Sequence, residues 1–231
     1  MTRRPTTWVL LTVLGVLVAV AAPVGWFLTR PPATVGEEAA QALASSTPAS
    51  SSAAPATTSP AAPVPAVPTR DGRVGAAVPP VAAPAGIELP SLGVRSVIRP
   101  VGVDRAGDLE IPEDVGQVGW YRYGPRPGDR TGSTVLGGHV DSAGQGRGAF
   151  FRLRELKPGD PVVVRGEDGR SWRYRVVSRE EWPKSEVPLD RIFSRGGAAR
   201  LTLVTCGGGF REDIRSYQDN IAVTAVPEAA R

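Results

Sequence analysis

This chain of 231 residues has only one histidine, His139, and only one cysteine, Cys206. A lone cysteine excludes an internal disulfide. With one imidazole, no second thiol and scattered carboxylates, the ligand spacing of a zinc site is also missing, so no metal is expected. There is no basic run interleaved with aromatics. From Gly86 to Arg231, 22 Lys and Arg stand against 20 Asp and Glu with the signs mixed. The basic balance therefore reads as a solvated mixed surface, and no nucleic-acid partner is expected. A Walker-type phosphate loop and internal repeats are absent as well. No cofactor is expected.

What is present divides the chain into three parts. In residues 1–30, Arg3 and Arg4 precede the 21 uncharged residues Trp8–Leu28, and Arg30 follows them. As a helix that run reaches about 30 Å, the hydrocarbon thickness of a bilayer. Trp8 and Trp26 sit where interfacial aromatics belong, and the leading arginines favour a cytoplasmic N-terminus. Ala19-Val20-Ala21 also fits a signal-peptide cleavage site. The apolar run continues through Leu28, which favours a single-pass membrane anchor. Either reading exports the rest of the chain, so the expected location is the cell membrane with the C-terminal domain outside.

Residues 31–85 hold 11 of the 23 prolines and no aromatic residue. Such a segment buries too little apolar surface to offset its ordering entropy. It is expected to be a disordered linker whose removal leaves the stability of the domain nearly unchanged. Residues 86–231 are expected to form one folded domain, large enough to bury roughly two-thirds of its unfolded surface.

Within that domain, short strands alternate with turns. "VRSVIRPVGV" (94–103) is β-branched with an internal proline, which suits an edge or broken strand. "AFFRLREL" (149–156) spaces Phe150, Leu153 and Leu156 as a short helix would. "PVVVR" (161–165) and "WRYRVVS" (172–178) flank a turn and read as a hairpin, with Trp172, Tyr174 and Val176 on one face. "VPLDRIF" (187–193) suggests a helical turn. "STVLGGH" (133–139), "RLTLVTC" (200–206) and "YQDNIAVTAV" (217–226) suggest strands. Many short strands with one or two small helices point to an all-β fold, a closed or nearly closed barrel.

Both unique residues end an apolar run beside glycines, in "TVLGGHVDS" and "TLVTCGGGF". A thiolate is a strong nucleophile, and a nearby His or Arg raises its reactive fraction. His139 is the natural acid/base, because imidazole alone among side chains has an unperturbed pKa near neutrality. Thr205, Gly207 and Gly208 flank the thiol where a substrate chain would lie, and glycine permits close approach. A developing oxyanion needs a donor. Arg211 and Arg215 follow the cysteine closely. Arg215, Tyr217 and Asp219 share a face if the last strand begins this early.

These motifs, with "YQDNIAV", resemble the histidine, cysteine and final-strand motifs of sortases. The Cys-Gly-Gly continuation is most similar to the class F sortases of actinobacteria. "IPEDVGQVGWYRYGPRPGDRTG" (111–132) and "FFRLRELKPGD" (150–160) extend the resemblance over about residues 86–227. It implies an eight-stranded β-barrel transpeptidase. Such an enzyme cleaves a Leu-Pro-x-Thr-Gly type sorting signal after Thr, holds the acyl part as a thioester and passes it to an amine. The implied partners are secreted proteins carrying a C-terminal sorting signal and a peptidoglycan precursor amine, with the enzyme a monomer. By this resemblance Cys206 is the nucleophile, His139 the acid/base, and the family arginine lies just before the last strand. Many relatives read Tyr-Arg-Asp-Asn where this chain has Tyr217-Gln218-Asp219-Asn220. That role is therefore assigned to Arg215.

Two other readings compete. An L,D-transpeptidase also places His before Cys in a β-rich exported domain, but its cysteine stands in a Ser-x-Gly-Cys-x-Arg setting. A non-catalytic envelope-binding module would bury Cys206 as a small hydrophobe.

Overall fold

The computed structural model describes residues 34–45 and 82–228. The Trp8–Leu28 run and most of the expected linker lie outside them. Among the described residues, no helix is long and apolar enough to cross a membrane.

Eight strands close into a barrel: β1 (Pro84–Leu89), β2 (Val94–Val101), β3 (Val118–Tyr121), β4 (Ser133–Gly138), β7 (Pro161–Gly166), β8 (Ser171–Pro183), β9 (Arg200–Arg211) and β10 (Ser216–Pro227). Their order around the barrel is β1-β2-β3-β4-β9-β10-β8-β7. Two short strands, β5 (Asp141–Ser142) and β6 (Gly146–Arg147), form a separate hairpin. The helices are α1 (Glu37–Ser45) and α2 (Leu189–Ile192). The all-β, eight-stranded expectation holds. Closure leaves the sheet no free side to pair with another chain over most of its length.

The β7–β8 hairpin forms in the expected sense, with Pro161 opposite Arg175 and Arg165 opposite Ser171. Tyr174 and Val176 point into the core, and Trp172 packs against it half-buried. Phe150, Leu153 and Leu156 are completely enclosed and fill one part of the barrel core. Burying each is worth about 1.5–3 kcal/mol. Their spacing of three belongs to a 3₁₀ turn at Leu153–Glu155, in which residues i and i+3 eclipse. Strand β9 is buried on both faces over its first four residues, Arg200 to Leu203, and opens to solvent towards Arg211. Leu201 and Leu203 face the barrel interior, while Val204 packs outside with Val135, Ile192 and Ala222.

Three expectations are corrected. Strand β2 is not broken: β1 pairs along residues 94–97 and β3 along 98–101, so the half that carries Pro100 is paired on one side only, as an edge is. Its proline is tolerated for a geometric reason. The Val101 carbonyl accepts from Arg122 on the β3 side, so the nitrogen of Pro100, one residue earlier, faces away from β3. There β2 has passed its last β1 partner at Val97, and no ladder bond is lost. Second, the folded unit begins before Gly86, because β1 starts at Pro84. Third, residues 34–45 of the expected linker form an ordered strap. Val35 makes a β-bridge with Arg179, and α1 packs on β8 with Ala40 only 3% exposed. The run Glu37–Ser45 contains good helix formers, with Glu37 and Glu38 placed favourably in the first turn.

Candidate active site

The parallel pairing of β4 with β9 runs from Ser133↔Arg200 to Gly137↔Val204. The partners are a constant 67 residues apart, and two further steps at that offset bring His139 level with Cys206. Level residues on adjacent parallel strands are neighbours with side chains on the same face. The Thr205 hydroxyl ties the strand ends together by donating to the Gly138 carbonyl at 2.7 Å. On the other side of β9, Asn220 of β10 stands opposite Cys206.

The glycines before His139 are required by packing. A methyl on Gly137 would sit 2.5 Å from Ile111 Cδ1, and one on Gly138 would sit 2.7 Å from Phe150 Cδ2. After the cysteine, Gly208 adopts φ +72°, and a Cβ there would meet the Asp219 carboxylate at 2.2 Å. These residues thus let neighbouring elements close on the site, a stronger constraint than the substrate access expected of them.

Cys206 is a half-buried free thiol. Burial pushes its pKa up. The Lys184 ammonium works against that shift and the Asp141 carboxylate adds to it. His139 Nε2 lies 3.0 Å from the Pro112 carbonyl oxygen. A carbonyl only accepts, so this nitrogen carries a proton, and Nδ1 remains for proton exchange.

Cys206, His139 and Arg215 line one groove of about 920 Å³. Ile111, Val115, Phe151 and Phe210 give it an apolar lining, and Glu113, Asp141 and Arg147 add charge. Thr205, Gly207 and Gly208 border a smaller hollow of about 220 Å³ that also reaches Cys206. Arg215 has φ 48°, the only non-glycine residue in the left-handed region among those described. It closes a turn by donating its N–H to the Glu212 carbonyl, and its guanidinium has no partner among the described residues. Arg211 is committed to a fork with Asp213 and does not line the groove. Gln218 lies at a bulge between Tyr217 and Asp219, is exposed and is likewise outside the groove lining. The same bulge shifts the pairing so that Asp219 stands opposite Gly207. The extra residue lies on β9, where Gly208 and Gly209 together stand against Gln218.

Residues 87–228 match the family profile described as the sortase domain. The chain belongs to the sortase family. Membership carries the coarse activity, that of a cysteine transpeptidase of the cell wall. Among solved structures, sortase C-1 from Actinomyces oris is similar at 24% identity and a TM-score of 0.50, over 63% of this chain and 74% of that one. A lid mutant of sortase A from Corynebacterium diphtheriae matches at 20% identity and 0.49, over 64% and 72%. Sortase E1 from Streptomyces coelicolor, with a tripeptide in its active site, matches at 22% and 0.47, over 65% and 90%. At these identities the likeness concerns the fold. No curated protein matches the chain.

Reading motifs alone missed two partners in this sortase. The Tyr217 hydroxyl donates to Asp141 at 2.7 Å, joining β10 to the β5–β6 hairpin beside the thiol. Desolvation first, and then the Asp141 carboxylate, pushes the Tyr217 pKa up to about 12, so the phenol stays protonated as the donor. Tyr217 also meets Phe210 edge to face, with centroids 5.1 Å apart. The second missed residue is Lys184. It donates to Ser216 Oγ at 2.7 Å and is the cation acting on the thiol. "HVDS" holds Asp141 two residues after the histidine, the one local signal that could have drawn attention to it.

Proposed function

We propose that this sortase is an exported, membrane-anchored enzyme of the class F type that cleaves a Leu-Pro-x-Thr-Gly-like sorting signal and transfers the acyl part to a cell-wall precursor amine. The observation that carries the reading is the single groove lined by Cys206, His139 and Arg215, at the ends of two strands paired in parallel up to Gly137↔Val204. As Cys206 sulfur attacks the scissile carbonyl carbon, the thiol proton passes to His139, and Arg215 donates to the oxyanion. Collapse breaks the C–N bond, and the leaving amine takes its proton from His139, giving a thioester. The incoming amine then attacks that thioester, gives a proton to His139, and restores the thiol when the C–S bond breaks. The apolar lining suits a peptide with aliphatic side chains. The Trp8–Leu28 run would hold the enzyme at the outer surface of the membrane.

The test is to incubate the exported chain with a Leu-Pro-x-Thr-Gly peptide panel and a glycine-type amine, and to seek a thioester on Cys206 by mass spectrometry. An acyl adduct at Cys206 that the amine discharges supports the reading. Cleavage without an adduct, or none with any peptide, overturns it.

A further inference from the structure

Strand β8 leaves β7 at Arg175, so its far stretch has no barrel partner on that side. The strap takes this open edge. The Val35 N–H donates to the Arg179 carbonyl at 2.6 Å, and the Arg179 N–H donates back to Val35 at 2.8 Å. Thr34 Oγ1 accepts from the Glu181 N–H at 3.4 Å. Gly36 then turns the chain into α1 with φ +76°, where a Cβ would lie 2.2 Å from the Val177 carbonyl oxygen. Any other residue would have to give up either the bridge or the helix seat. At the far end of α1, the Leu43 carbonyl accepts from the Ala198 N–H at 3.0 Å.

These contacts bracket the connection from β8 to β9, which carries α2 and Lys184. Lys184 in turn holds Ser216, a residue of the groove. Glu181, whose amide the strap binds, places Oε1 3.3 Å from Arg154 Nη2. The same oxygen lies 3.0 Å from the point a Cβ on Gly207 would occupy. One residue therefore separates the strap from the floor beside Cys206.

We propose that Thr34–Ser45 is a positioning element of the transpeptidase: it clips both ends of the β8–β9 connection and, through Glu181, sets the floor beside Cys206, so that substrate affinity follows its docking. The proposal rests on the sortase reading only for its activity readout. Two variants of the full chain test it, one lacking residues 34–45 and one carrying Gly36→Val. Hydrogen exchange at the Arg179 and Ala198 amides reports docking. Exchange over residues 184–193 and the split between KM and kcat report positioning.

Both variants should lose protection at Arg179 and Ala198, and exchange over 184–193 should accelerate. KM for the peptide should rise roughly two- to thirty-fold, the span of couplings carried through packed contacts, with a smaller change in kcat. A synthetic peptide of residues 34–45 at millimolar concentration should restore the deletion variant, and the same peptide with Gly36→Val should not. If the deletion variant fails to fold, Gly36→Val in the intact chain decides alone. Protection at Arg179 that survives Gly36→Val would overturn the proposal. So would an undocked strap that leaves KM and exchange over 184–193 at parental values. Failure of the sortase reading would look different, because the parent itself would cleave nothing while the exchange data still decided the strap.

Discussion

Replacing Arg215 by glycine separates its chemistry from its backbone. An L-residue in the left-handed region costs roughly 1–2 kcal/mol, and Arg215 sits there with φ 48°. Glycine relieves that strain but adds about 0.4–1 kcal/mol of unfolded-state entropy. The net gain is about 0–1.6 kcal/mol, so Tm should stay level or rise by up to about 6 °C. Arg215→Ala keeps the strain and should leave Tm near the parent value. Both variants lose the same guanidinium, and a preorganised oxyanion donor is worth about 10²–10³ in kcat. Both should therefore fall by that factor in peptide cleavage, the better-folded glycine variant included. Arg211→Ala removes only an exposed pair with Asp213 and should change cleavage by less than about twofold. Because Gln218 is exposed and outside the groove lining, adding Gln218→Arg to Arg215→Ala should not restore activity. Initial-rate kinetics on a fluorogenic sorting peptide, with thermal melts of each variant, measure all of this. A folded Arg215→Gly enzyme cleaving within about threefold of the parent would refute the oxyanion assignment, and rescue by Gln218→Arg would move it to the last strand.

Cys206→Ala should abolish both the acyl adduct and turnover, whereas His139→Ala should remain folded by circular dichroism and lose turnover severely, since no second imidazole is present. Asp141 adds to the rise in the thiol pKa, so Asp141→Asn should move the midpoint of Cys206 alkylation against pH downwards. Lys184→Met, which removes the opposing cation, should move it upwards, and a shift of either in the other direction would contradict the assignment. Gly138→Ala puts a methyl 2.7 Å from the enclosed Phe150 ring and should destabilise the barrel by about 1–3 kcal/mol, read as a lower urea midpoint at unchanged slope.

Much of the barrel was legible because its information is local. The alternation of Trp172, Tyr174 and Val176 reports a half-buried strand, and the glycine-ended runs mark β4 and β9. The strap was not legible for the opposite reason. Averaged over residues 31–85, proline and small residues hide the nine-residue run Glu37–Ser45, which buries only Ala40 and so shows little amphipathic pattern. The Asp141–Tyr217 bond spans 76 residues and depends on where the β5–β6 hairpin folds back, which no local pattern encodes.

The central pair lies between these cases. Each of His139 and Cys206 can be picked out by its own flanking residues, but their proximity depends on the 67-residue offset between β4 and β9. Slide β9 by one residue and both strands keep their readable patterns. Thr205 or Gly207 would then stand level with His139, and every β9 side chain would change face. Leu201 and Leu203 would leave the core for the outside, so the enclosed packing of those two leucines penalises the slip. The Thr205–Gly138 bond secures the strand ends. The position of the thiol beside the imidazole is therefore held by core residues that take no part in the chemistry.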